Sequence, residues 1–176
     1  YRSGKSTFSY MCAQNMLNDY GDDARIVIID SEASSDISRL SKTFDINPGN
    51  DEIEVLKKDP RVFLFYNSII EDSIDKAIEF IDEARKYNKP TLIIIDSIAT
   101  LKPKSEVEAH NLMLETGKEE KKYSQGMMLA PRVVSNKLSD VLRHIPGSNA
   151  SLILINQATV DLDAYSPHGP AYKSKG

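Results

Sequence analysis

The sequence predicts an α/β fold, a mostly parallel β-sheet flanked by helices, and three observations carry that prediction. Four short runs are apolar continuously instead of alternately, which is how strands covered on both faces read. Amphipathic helical patterns stand between them. The chain of 176 residues is long enough for one domain, 1–176, with a core of its own.

The elements follow in order. "KSTFSYMCAQNMLND" (5–19) reads as a helix opening directly after Gly4, and "ARIVIID" (24–30) as the first strand. "SDISRLSKTF" (35–44) is a short helical pattern with Ser35 or Asp36 as its N-cap. "RVFLFYN" (61–67) is the second strand. "IEDSIDKAIEFIDEARKY" (70–87) is a helix with Ile70, Ile74, Ala77, Ile78 and Ile81 on one stripe. "TLIIID" (91–96) is the third strand. "KPKSEVEAHNLMLETGKEEKKYSQG" (102–126) is polar and charged, and reads as an unusually long connection, of a length that is either functional or disordered. "MMLAPRVVSNKLSDVLRHI" (127–145) is a helix with Leu129, Val133, Val134, Leu138, Val141 and Leu142 on its apolar stripe and Pro131 near its start. "SLILIN" (151–156) is the fourth strand, and "ATVDLDAYSPHGPAYKSKG" (158–176) has no apolar period and reads as a loop. No internal repeat is visible.

Composition narrows the function classes. With 40% hydrophobic and 27% charged residues and a net charge of -4, the chain has no bulk attraction for nucleic acid or membrane. A nucleic-acid partner would need a local basic patch. The single cysteine, Cys12, cannot form an internal disulfide and reads as a buried structural thiol on the first helix. No signal peptide and no apolar run near the ~20 residues of a membrane span is present, so the cytoplasm is the expected compartment.

Chemistry gathers at strand ends and one helix start. Gly4-Lys5-Ser6-Thr7 matches the second half of the phosphate-loop pattern G-x-x-x-x-G-K-[ST]. At a helix N-terminus, Lys5 reaches outer phosphates and the Ser6 hydroxyl ligates Mg²⁺, whereas a plainer reading is a solvated lysine in a turn. Asp96 closes an apolar strand where a Mg²⁺-supporting carboxylate belongs, or caps the following turn. Asp30 and Glu32 follow the first strand on the same sheet edge. Glu32, just past the strand end, is the better candidate to deprotonate an attacking water, or else it is a surface acid. Asn156-Gln157 puts two amides after the fourth strand, as phosphate sensors or as turn formers.

Read together, "GKST", "IIDSE", "IIIDSIATLKPKSEVE", "MMLAPRVVSNKL" and "LILINQ" resemble, in order and spacing, the bacterial and phage branch of the RecA family of DNA recombinases. The most specific stretch is Leu92–Glu108, and the resemblance covers nearly the whole chain. It implies a RecA-like P-loop ATPase core cut at both ends, beginning inside the phosphate loop and stopping inside a DNA-binding loop. By resemblance, Gly4, Lys5, Ser6 and Thr7 bind ATP, Ser6 and Asp96 hold Mg²⁺, and Glu32 is the catalytic glutamate. Gln157 is the γ-phosphate sensor, and Asp36 and Arg39 fall near the adenine. Met127, Arg132, Ser135 and, more loosely, Lys137 are implied as DNA contacts, with 102–127 as the first DNA-binding loop region and 158–176 as the start of the second.

The resemblance implies an ATP-dependent, DNA-stimulated recombinase that forms helical filaments on single-stranded DNA and pairs it with homologous duplex. Two other classes share part of the pattern: a RecA-fold motor such as a hexameric replicative helicase, and a nucleotide-gated DNA-binding module. The sequence departs from the family at Arg39, where an aromatic is common, and in the long, mixed-charge first loop. A core lacking half of its phosphate loop is expected to bind ATP weakly and turn it over poorly.

Overall fold

The computed structural model describes residues 4–33, 35, 40, 42–44, 60–116, 121–161 and 171–174, with the backbone alone at 116, 121–130, 158–161 and 171–174. Helix α1 (Lys5–Tyr20) leads through a 3₁₀ turn (Gly21–Asp23) into strand β1 (Arg25–Asp30). Strand β2 (Val62–Tyr66), helix α2 (Ile70–Tyr87) and strand β3 (Thr91–Asp96) follow. A second 3₁₀ turn (Ile98–Thr100) precedes helices α3 (Lys104–Thr116) and α4 (Lys121–His144) and strand β4 (Ala150–Ile155). Two short strands, β5 (Ala158–Asp161) and β6 (Ala171–Ser174), pair antiparallel.

The main sheet has the order β2-β1-β3-β4 and all three ladders are parallel. Continuous apolar runs are needed only where helices cover both faces, and the two central strands show this. On β1 and β3, Ile26, Ile28, Leu92 and Ile94 turn to one face, where they pack with Tyr10, Ala13 and Leu17 of α1 and with Leu40 and Phe44. Val27, Ile29, Ile93 and Ile95 turn to the other, against Ile70, Ile74, Ala77 and Ile81 of α2 and Val141 of α4. The period of two along each strand thus splits the core into two layers. At the sheet's edges, Phe63, Leu64 and Phe65 of β2 and Leu152, Ile153 and Leu154 of β4 are only half-buried. Ile94→Ala leaves a cavity under α1 and is expected to cost about 2–5 kcal/mol, read as a shifted midpoint in urea unfolding.

Helix α2 is stopped by Asn88, which takes the left-handed conformation (φ 49°) and donates its N–H to Ala84. Glu71 and Asp72 in its first turn and Arg85 and Lys86 in its last complement the helix dipole. No helix among the described residues is long and apolar enough to cross a membrane.

Three expectations are corrected. The 102–126 stretch is not mainly a loop, because α3 and the first turns of α4 occupy it. Between Pro103 and Gly117 the sequence carries helix formers and no Gly or Pro, so local propensity wins over bulk polarity. Since α4 begins at Lys121 and not at 127, Pro131 lies inside the helix, where it removes one backbone rung. The 158–176 tail contains the β5–β6 ladder, with Ala158 opposite Ser174. Of the helix expected over 35–44, only Ser35, Leu40 and 42–44 lie among the described residues, and Leu40 and Phe44 are buried. Cys12 is half-buried against the α1 layer.

Candidate nucleotide site

The site starts from Gly4. It adopts φ 75°, a left-handed conformation that costs glycine little, and a Cβ there would meet open space. Its carbonyl accepts the Phe8 N–H at 2.8 Å, so α1 opens immediately behind it. Among the described residues no side chain caps this start, and no acid stands in the first turn. The positive end of a 16-residue helix, with Lys5 and Thr7 exposed on its first turn, therefore attracts anions.

This helix start meets the carboxyl edge of the sheet, where open α/β sheets bind their ligands. Ladder register aligns Asp30 with Asp96, and Asp96 with Ile155, so three strand ends form one row. The Ser6 hydroxyl donates to Asp96 Oδ2 at 2.5 Å, across 90 residues of sequence. Past β1, the Asp30 carboxylate is buried and accepts two backbone N–H groups, Glu32 on Oδ1 at 3.0 Å and Ser35 on Oδ2 at 2.6 Å. Glu32 is exposed. Its Oε1 accepts the Ser97 hydroxyl at 2.8 Å and the Gln157 side-chain amide, a very short contact. Gln157 itself is steadied by its neighbour, since its backbone N–H donates to Asn156 Oδ1 at 2.8 Å. Lys5 is close enough to Asp96 to favour that residue's anion. Lys5, Ser6, Glu32, Asp96 and Gln157 thus gather at one rim of one sheet.

Burial pushes the Asp96 carboxyl above the ordinary carboxylate range, and the negative charges of Glu32 and Asp30 add to the effect. The Ser6 hydrogen bond and Lys5 oppose it. A dication beside Asp96 would reverse the balance, because it favours the ionised form. The donor set fits Mg²⁺, which accepts one carboxylate and one hydroxyl and completes its shell with water and phosphate oxygens. Among the described residues no group of three or more His, Cys, Asp or Glu is placed to cage a metal by itself, and such a site needs none.

Elsewhere the expected residues fall as follows. Asp36 and Arg39, expected by resemblance near an adenine, lie outside the described residues. Met127 lies on the α4 backbone, with its side chain outside the described set. Arg132 and Ser135 are exposed on α4. Lys137 is not a free cation: its ammonium pairs with Asp75 of α2 at 3.1 Å. A cavity of about 760 Å³ runs between the Ile98–Leu101 segment and α4, with Ser135 and Leu138 on one wall and Asn156 at the site end.

Sequence reasoning passed over Ser31 and Thr100, and gave Ser97 no role. Ser31 Oγ accepts the Ser97 backbone N–H at 2.9 Å and lies 2.7 Å from the Ser97 carbonyl and 2.5 Å from Thr100 Oγ1. The Asp96–Ser97 peptide between these contacts is cis. A signal was present: both central strands end in the same dipeptide, Asp30-Ser31 and Asp96-Ser97. Neighbouring parallel strands in register bring such repeats side by side.

No protein-family model matches this sequence, and a search of curated proteins finds no match either. The functional reading therefore stands on the geometry of the rim and on the sequence motifs that build it.

Proposed function

We propose that the chain is the ATPase core of a RecA-type recombinase, binding Mg²⁺-ATP and single-stranded DNA and pairing that strand with homologous duplex. The observation that carries this reading is the meeting of Ser6 with Asp96, and of Glu32 with Gln157, at the uncapped start of α1. Lys5 and the first-turn N–H groups of α1 hold the phosphates. Ser6 and Asp96 supply the protein oxygens for Mg²⁺, which when bound neutralises charge on the phosphate oxygens. Glu32 orients the attacking water and takes its proton. Gln157 changes partner, from Glu32 to a γ-phosphate oxygen, and so reports the nucleotide to the segment that follows it. In the filament, neighbouring copies of the protein line up along the strand.

The rim by itself suits other RecA-fold motors, and "LKPKSEVE" after β3 favours the recombinase among them. The test is ATP turnover by the full-length protein with and without single-stranded DNA, followed by an assay for homologous pairing. Turnover stimulated by DNA together with pairing is the expected result. DNA-stimulated unwinding without pairing would point to a helicase, binding without turnover to a nucleotide-gated module, and no ATP binding would overturn the reading.

Arg132 is proposed to contact the DNA backbone, so Arg132→Ala is expected to weaken single-strand binding at all sequences. Loss of one phosphate contact lowers the salt slope of log K by about 0.7. Lys137→Ala is expected to do less, because Asp75 already holds that ammonium. Fluorescence anisotropy across a salt series reads both.

A further inference from the structure

We infer that Ser97 is a positioning residue for Glu32: it is the donor that keeps the general base aimed once Gln157 has turned to the phosphate. This rests on the ATPase reading above and extends it to a residue with no role in that scheme.

The first support is proton counting. A serine hydroxyl has one proton, and an ionised carboxylate only accepts. The 2.8 Å contact between Ser97 Oγ and Glu32 Oε1 therefore fixes where the Ser97 proton points. Ser31 Oγ takes the Ser97 backbone N–H at 2.9 Å and gives its own proton to the Ser97 carbonyl at 2.7 Å, so Thr100 directs its proton to Ser31 Oγ at 2.5 Å or to the Ser97 carbonyl at 3.1 Å. Ser97 is buried and held from three sides, so its hydroxyl has little freedom to wander. A charge-assisted hydrogen bond from a fixed donor both strengthens and orients the acceptor.

The second support is the sharing of one oxygen. Ser97 and Gln157 both donate to Oε1, and among the described residues no donor is placed on Oε2. The carboxylate is thereby turned so that Oε2 is the oxygen left to accept a proton. The two donors are not equivalent. Gln157 is half-buried past the end of β4 and, in the proposed scheme, leaves Glu32 when the γ-phosphate arrives. Ser97 lies behind the rim, one residue from Asp96, and has no phosphate to serve. It stays.

The test is steady-state ATP hydrolysis by the full-length protein carrying Ser97→Ala, with a thermal melt alongside. The expected result is a kcat lowered about ten- to a hundredfold, the scale of a misplaced catalytic group, with KM for ATP unchanged. A residue that only packs would alter the melt and leave kcat alone. Should S97A fail to fold, Thr100→Val decides: it keeps the shape and removes the hydroxyl behind Ser97, and a lowered kcat at constant KM supports the inference. Wild-type kcat in S97A, or in T100V where that variant decides, overturns it while leaving the ATPase reading intact. Absence of turnover in the wild-type protein overturns the reading and this inference with it.

Discussion

Replacing Glu32 with glutamine is expected to leave ATP binding in place and to slow hydrolysis about 10²–10⁴-fold, the range that general-base catalysis contributes. The amide keeps the size and shape of the carboxylate, and its oxygen can still accept from Ser97 and Gln157. What it cannot do is take a proton from water. Calorimetric ATP affinity should therefore match the wild-type value while single-turnover hydrolysis collapses. Asp30, two residues away, is no ready substitute base, because that carboxylate is buried and both its oxygens accept backbone N–H groups. Unchanged turnover in E32Q would remove Glu32 from the mechanism.

Asp96→Asn is expected to separate stability from activity. The Asp96 carboxyl titrates above its ordinary value, chiefly because burial disfavours the anion. For such a group the protonated form favours the folded state. That contribution is complete below the ordinary aspartate range, about pH 4, and is lost as pH rises through the raised value. At neutral pH, without divalent ions, the wild-type protein carries the cost of a partly buried charge that asparagine does not have. D96N should then melt higher, though only modestly because Asp96 is half-buried and solvent screens its charge, with the gap closing on acidification to about pH 4. Mg²⁺-ATP should reverse the order, since ligand binding stabilises only the variant that can hold it. Turnover by D96N should be close to absent. A variant that melts lower at pH 7 and hydrolyses normally would contradict both parts.

The fold was largely legible because its signals are redundant. Each of the four predicted sheet strands lies within a residue of its observed bounds, since continuous apolar runs such as "TLIIID" have no other use in a chain this size. The candidate acids at strand ends were legible for the same reason: a polar residue that closes an apolar run marks the sheet's rim. Helix α4 from 127 onward was legible from its apolar stripe, whereas α3 and the first turns of α4 were not, because the weak amphipathicity of α3 resembles a polar loop. Nor could sequence show that Lys137 is paired, as Asp75 is 62 residues away and meets it only through the packing of α2 on α4. The Ser31, Ser97 and Thr100 hydroxyls were hidden by their commonness. Serine and threonine near strand ends usually serve turns, and only the register of β1 beside β3 turns three of them into one chain.

Asp30, Asp96 and Ile155 occupy the same rung of neighbouring ladders. The sheet is in this sense a ruler, and the rim inherits its tolerance. Slipping β3 by a single position against β1 would carry Asp96 about 3.3 Å along the strand direction and invert which side chains face α1. Deletions inside these strands should therefore be far more damaging than substitutions at the same places, however distant from the phosphates they fall.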